Sequence, residues 1–296
     1  MFGQRLFRSL VVMTAVLGLF SGRLWAAAPP LQLEVYNPAE KAIFPVSSVL
    51  VSGEKDLLLI DAQFARGDAE RLVQRIRASG KRLVTIYISH GDPDFYFGLD
   101  VLQDAFPGVK ILASAPTIAH IEATRQAKLA YWGPILKDDA PSRVVVPQPL
   151  QGDRLQLEGQ TLQVLGLEGA APDRSLVWIP GLKALVGGVL FETNLHVWMA
   201  DTQSEESRRA WREALEQLAA LQPQRVIPGH FLGEQPSAQQ ALQFTRDYLL
   251  ALEAELPKAK DSAALIKAMQ DRYPTLEGVD SLVLSAKVLK GEMQWP

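Results

Sequence analysis

Twice along this chain, short β-type runs give way to alternating strand-like and helix-like stretches, and this order constrains the fold more than any other feature of the sequence. The first half reads as strands over Leu31 to Tyr36, Ser48 to Ser52 and Leu57 to Asp61, then an amphipathic helix from Ala65 to Ser79 closed by Gly80. A strand from Leu83 to Ile88, a helix over 97–106 ending before Pro107, a strand from Val109 to Ala113 and a helix from Pro116 to Ala130 follow. The second half begins again with short strands at Val144 to Val146, Leu155 to Leu157 and Leu162 to Leu165, the last two joined as a hairpin at Glu158-Gly159-Gln160. Ser175 to Ile179 and Ala184 to Val186 pair across Pro180-Gly181-Leu182-Lys183; a helix from Ser204 to Leu221, a strand at Arg225 to Ile227 and helices over 236–256, 258–272 and 279–289 complete the chain. Strands followed by helices, twice, predict two sheets stacked face to face with helices outside. No linker or low-complexity stretch divides residues 29–296, so they read as one domain.

Residues 1–28 carry Arg5 and Arg8, an apolar run from Leu10 to Phe20 and then Trp25-Ala26-Ala27-Ala28, the layout of a signal peptide. The run is short for a membrane span. The mature protein is therefore expected in the periplasm, with no membrane attachment after signal removal. A formal net charge of −3 with interspersed signs argues against a nucleic-acid partner. The chain has no cysteine, so any metal must be held by histidine and carboxylate.

Chemistry concentrates in Ser89-His90-Gly91-Asp92-Pro93-Asp94-Phe95, which follows the strand at 83–88 and enters the next helix. Residues two apart in an extended loop point the same way, so positions 90 and 92 can grip one ion. Taken alone, His-Gly-Asp-Pro-Asp also fits an ordinary Gly/Pro/Asp turn. Pro228-Gly229-His230 directly follows the strand at 225–227, and His196 lies in Asn194-Leu195-His196-Val197-Trp198-Met199, just beyond the strand at 184–186. These loops should converge at one edge of the sheets. His120, on a helix, reads as a surface or packing residue.

The loop at 89–98, the hairpins and Pro228-Gly229-His230 together resemble the metallo-β-lactamase fold superfamily, and His196-Val197-Trp198-Met199 resembles an exported branch of it. The resemblance implies an α+β fold, a four-layer αββα sandwich, with His90 and Asp94 at the first His and the Asp of a His-x-His-x-Asp-His loop. Asp92 and Phe95 stand where the other two histidines would be, and Gly188 stands where the family has an Asp that bridges two metals. The third histidine is also missing, since Leu167 to Arg174 contains none. At most one divalent ion (Mn, Fe or Zn) is expected, on His90, Asp92, Asp94 and His230, with the Asp92 carboxylate favouring a harder ion. Gly188→Asp with Phe95→His should then raise metal occupancy.

Two functions follow. Either the site is metal-free or weakly metal-binding and the protein is a small-molecule-binding pseudoenzyme, or one metal activates water to hydrolyse an ester, lactone or amide. Asp94 and His90 are the candidate catalytic pair. His196, Trp198 and Arg174 are candidate ligand-binding residues, with Arg174 also the expected counter-charge to Asp92 and Asp94.

Overall fold

The computed structural model describes residues 29–168 and 174–295; the expected signal peptide lies outside them. One sheet has six strands in the order β1 (Gln32–Tyr36), β2 (Ser48–Ser52), β3 (Asp56–Ile60), β4 (Arg82–Ile88), β5 (Lys110–Ala113) and β6 (Gln148–Pro149). A second has five, ordered β12 (Arg225–Ile227), β10 (Ala184–Val186), β9 (Leu176–Ile179), β8 (Gln160–Leu165) and β7 (Arg154–Leu157). A third, short parallel pair joins β11 (Glu192–Thr193) to β13 (His230–Phe231).

Strand periodicity makes the layers. Val49, Val51, Leu58 and Ile60 of the first sheet meet Val164, Val177, Ile179, Val186 and Ile227 of the second in a core between the sheets. Their sequence neighbours Leu50, Leu57 and Leu59 point the other way, into a core with α1 (Arg66–Ala78), α3 (Leu99–Ala105) and α4 (Ala115–Leu136). On the far side, Leu176, Leu185 and Val226 pack with α5 (Glu205–Ala220), α6 (Ala238–Glu255), α7 (Ser262–Arg272) and α8 (Val279–Leu289). Helix, sheet, sheet, helix is the expected αββα order. A register shift between Leu57 and Leu58 against β4 lets Leu83 and Ile86, three residues apart, both face the helices.

Three expectations change. Val144 to Val146 form no strand; the run lies between Pro141 and Pro147 and packs half-buried on the α1/α3/α4 side, and only Gln148–Pro149 pairs with β5. The helix expected to end at Ala130 continues to Leu136. The helix expected over 97–106 is α3, and a short turn not expected from the sequence, α2 (Pro93–Tyr96), precedes it; between them Gly98 packs against the β3 exit, where a Cβ would stand 2.2 Å from Ala62 O.

Candidate functional site: two ion pairs in an aromatic cavity

The loop after β4 is anchored to both sheets through Ser89. Ser89 N and Oγ donate to the buried Asp61 carboxylate (2.8–2.9 Å), and Ser89 O accepts from Ser175 Oγ at 2.7 Å. Ser89 Oγ also accepts from Gly188 N at 2.9 Å. Burial pushes the Asp61 carboxyl up to about 7, against the hydrogen bonds from Ser89. Asp61 takes φ +64, a left-handed conformation that aspartate tolerates better than most side chains.

Beyond this anchor the loop side chains form two pairs. His90 Nε2 donates to Asp92 Oδ2 at 3.2 Å, and Lys128 Nζ, from α4, donates to Asp92 Oδ1 at 3.2 Å. His120 Nε2 stands 3.9 Å from the same oxygen. Burial opposes ionisation of Asp92, yet the imidazoles of His90 and His120 and the Lys128 ammonium together hold its carboxyl well below the usual range. His230 Nε2 pairs with Asp94 Oδ2 at 3.0 Å. Burial would lower the His230 pKa, but the Asp94 hydrogen bond and the charges of Asp94, Glu192 and Asp92 raise it. The Phe95 ring meets both imidazoles edge to face, at centroid distances of 5.5 Å from His90 and 5.4 Å from His230.

All the residues singled out from the sequence, His90, Asp92, Asp94, Arg174, His196, Trp198 and His230, line one cavity of about 90 Å³. The expected catalytic partners are exchanged: His90 faces Asp92, and Asp94 faces His230. Arg174 is not the counter-charge to the aspartates. It donates to Asp201 O at 3.2 Å and lies over Trp211, while Lys128 supplies the charge. His120 is not merely a packing residue; it flanks Asp92, and Gly91 makes room for it, since a Cβ there would stand 2.6 Å from its ring.

Four further residues, Glu192, Asp201, Trp295 and Lys128, escaped the sequence reading. Glu192 lies beside His230 in the β11–β13 ladder, and its carboxylate accepts from Trp198 N at 3.2 Å. Burial raises its carboxyl to about 7, despite the charge of His230. The Asp201 carboxylate accepts from the indole N–H groups of Trp198 and, at 2.9 Å, Trp295. Lys128 had a readable signal: it falls seven residues after buried Ile121, on the buried face of α4. Two-residue strands and a C-terminal tryptophan carry no such period.

These donors do not fit the expected single ion. Among the described residues no three His, Asp or Glu side chains are arranged to share one cation. Asp92 has an ammonium at one oxygen and an imidazole at the other, and Phe95 offers no lone pair. The set expected from the sequence, His90, Asp92, Asp94 and His230, is gathered but divided into two internal pairs.

The Lactamase_B family model, described as the metallo-beta-lactamase superfamily, matches residues 43–230, from the loop before β2 to the site histidine. The uncharacterized protein YobT of Bacillus subtilis (strain 168) is 36% identical over 73 residues, 25% of this chain and 31% of that relative's length. Among solved structures, a metallo-beta-lactamase family protein from Thermus thermophilus superposes with TM-score 0.63 at 18% identity, over 89% of this chain and 93% of that one. A metallo-beta-lactamase from Pontibacter korlensis superposes with TM-score 0.56 at 20% identity, over 76% and 97%. At such identities the superpositions speak for the fold alone. The two stacked sheets apart from the edge strand β1, the loop after β4 and the histidine after β12 lie within the span that the family model covers, and on that span the chain belongs to the metallo-beta-lactamase superfamily.

Proposed function

We propose that this is an exported, periplasmic member of the superfamily that has exchanged metal chemistry for small-molecule binding: a pseudoenzyme with a cavity and a metal-independent site. The Lys128–Asp92–His90 cluster carries the reading. A tethered ammonium 3.2 Å from the carboxylate compensates its charge and repels a second cation from the same place. The Phe95 phenyl and the His230–Asp94 pair complete a site whose donors are already engaged with one another.

Elemental analysis after dialysis, with calorimetric titration of zinc and manganese, tests this. No tight binding is expected in the unmodified chain. Two firmly held zinc ions would overturn the reading. One tightly held ion with hydrolysis of ester, lactone or amide substrates that a chelator abolishes would replace it with the mono-metal hydrolase.

A further inference from the structure

The walls of the same cavity say what it accommodates. Phe44, Phe64, Trp132, Trp198 and Trp295 line it, and they are packed on one another: Phe44 lies 5.2 Å from Trp132 and 6.5 Å from Trp198, and Trp198 lies 5.3 Å from Trp295. Ring faces are electron-rich and attract cations. The cavity already contains one instance of that chemistry, the Lys128 ammonium 4.8 Å over the Trp295 ring.

The charges agree. Asp92, Asp94, Glu192 and Asp201 line the cavity, against the fixed cations Lys128 and Arg174. Asp92 and Asp94 have cationic or imidazole partners. Glu192 and Asp201 form no ion pair at contact distance among the described residues: the hydrogen bonds to their carboxylates come from the amide of Trp198 and the indoles of Trp198 and Trp295. Burial raises both carboxyls, and the charges of His230 and Arg174 on Glu192, and of Lys128 and Arg174 on Asp201, oppose that rise only from a distance, so an added ammonium would favour both carboxylates. His196, almost wholly buried, lines the cavity too. Its Nδ1 is bonded to Tyr248 Oη at 3.0 Å, while its Nε2 is buried with no hydrogen-bond partner. Burial favours the neutral imidazole, and with the ring proton on Nδ1 toward Tyr248 the free Nε2 is an acceptor.

We infer that the cavity binds a small protonated amine, its alkyl portion against the aromatic walls and its ammonium beside the Asp201 and Glu192 carboxylates and His196. This rests on the metal-independent reading of the site. Arg174 could instead attract an anion, but its guanidinium already stacks on Trp211 and donates to Asp201 O, and a carboxylate entering there would meet Asp201 and Glu192.

The test uses three probes on one skeleton, isobutylamine, isobutanol and isovalerate, titrated into the full chain at pH 7 with EDTA present and followed by tryptophan fluorescence and ligand-observed NMR. The amine should bind about tenfold more tightly than the alcohol, the increment of a cation among aromatic faces and carboxylates, and isovalerate should not bind. Asp201→Asn should weaken the amine alone, and Lys128→Met, which removes a competing cation, should tighten it. The Lys128 variant decides the sign if Asp201→Asn melts early. Equal binding of amine and alcohol, tighter binding of isovalerate, no binding of any probe, or an unchanged amine affinity in Lys128→Met would each overturn the amine assignment while leaving the metal-independent site standing. Binding of any probe that appears only when zinc replaces EDTA would overturn both.

Discussion

Asp92 accepts from Lys128 on one oxygen and from His90 on the other, so removing the ammonium leaves a largely buried carboxylate short of charge. Lys128→Met should cost about 2–3 kcal/mol in urea unfolding, and adding Asp92→Leu should recover most of it, because the loss is that of an uncompensated charge. Asp61 makes a different prediction. Its carboxyl is raised from an ordinary 3.8 to about 7 by burial, so the folded state holds the proton more firmly than the unfolded chain. That stabilisation is complete below pH 3.8 and is lost as pH rises through about 7. Asp61→Asn removes the titration and tolerates the left-handed backbone. Relative to the unmodified chain its stability should therefore improve from pH 4 to pH 8, on the order of 1–4 kcal/mol, as read from urea melts at the two pH values.

At the scale of elements, α6 secures the cavity from behind. Thr245 Oγ1 accepts from Glu192 N at 3.2 Å and lies 3.0 Å from Glu192 O, and one turn on, Tyr248 holds His196. Thr245→Val keeps the shape but leaves the β11 backbone groups unpaired, which should cost about 1–2 kcal/mol and shift the emission of Trp198, whose amide rests on Glu192. The turn after β10 is equally demanding. Gly188 has φ +73, and a Cβ there would stand 2.4 Å from Ser175 O. The exchange Gly188→Asp with Phe95→His, expected from the family pattern to raise metal occupancy, should instead destabilise the protein by roughly 3 kcal/mol or more, visible as a lowered melting temperature.

Across the whole molecule, the site depends on chain beyond the family match, which ends at residue 230. His196 N donates to Glu277 O, Met199 N donates to Ser285 Oγ on α8, and Trp295 Nε1 reaches Asp201. Truncation after Glu255 should leave segment 194–201 open to proteolysis and abolish ligand-induced tryptophan changes, with limited digestion and fluorescence as readouts. What the sequence determined by itself were the features with a period or a fixed local chemistry: the alternation that sends Val49 and Leu50 to opposite cores, the glycine, Gly80, that closes α1, and a polar loop held at a strand end. It also determined that His90, Asp92, Asp94, His196 and His230 follow strands closely enough for two stacked sheets to bring them to one edge, although Asp94 stands in α2 and His230 opens β13. Only the tertiary structure decided which side chains face one another. Lys128 reaches Asp92 across 36 residues, and Trp295 reaches Asp201 across 94. Such pairings follow from the packing of helices on sheets, where one turn more or less of α4 would point the ammonium elsewhere, and no local pattern encodes that outcome.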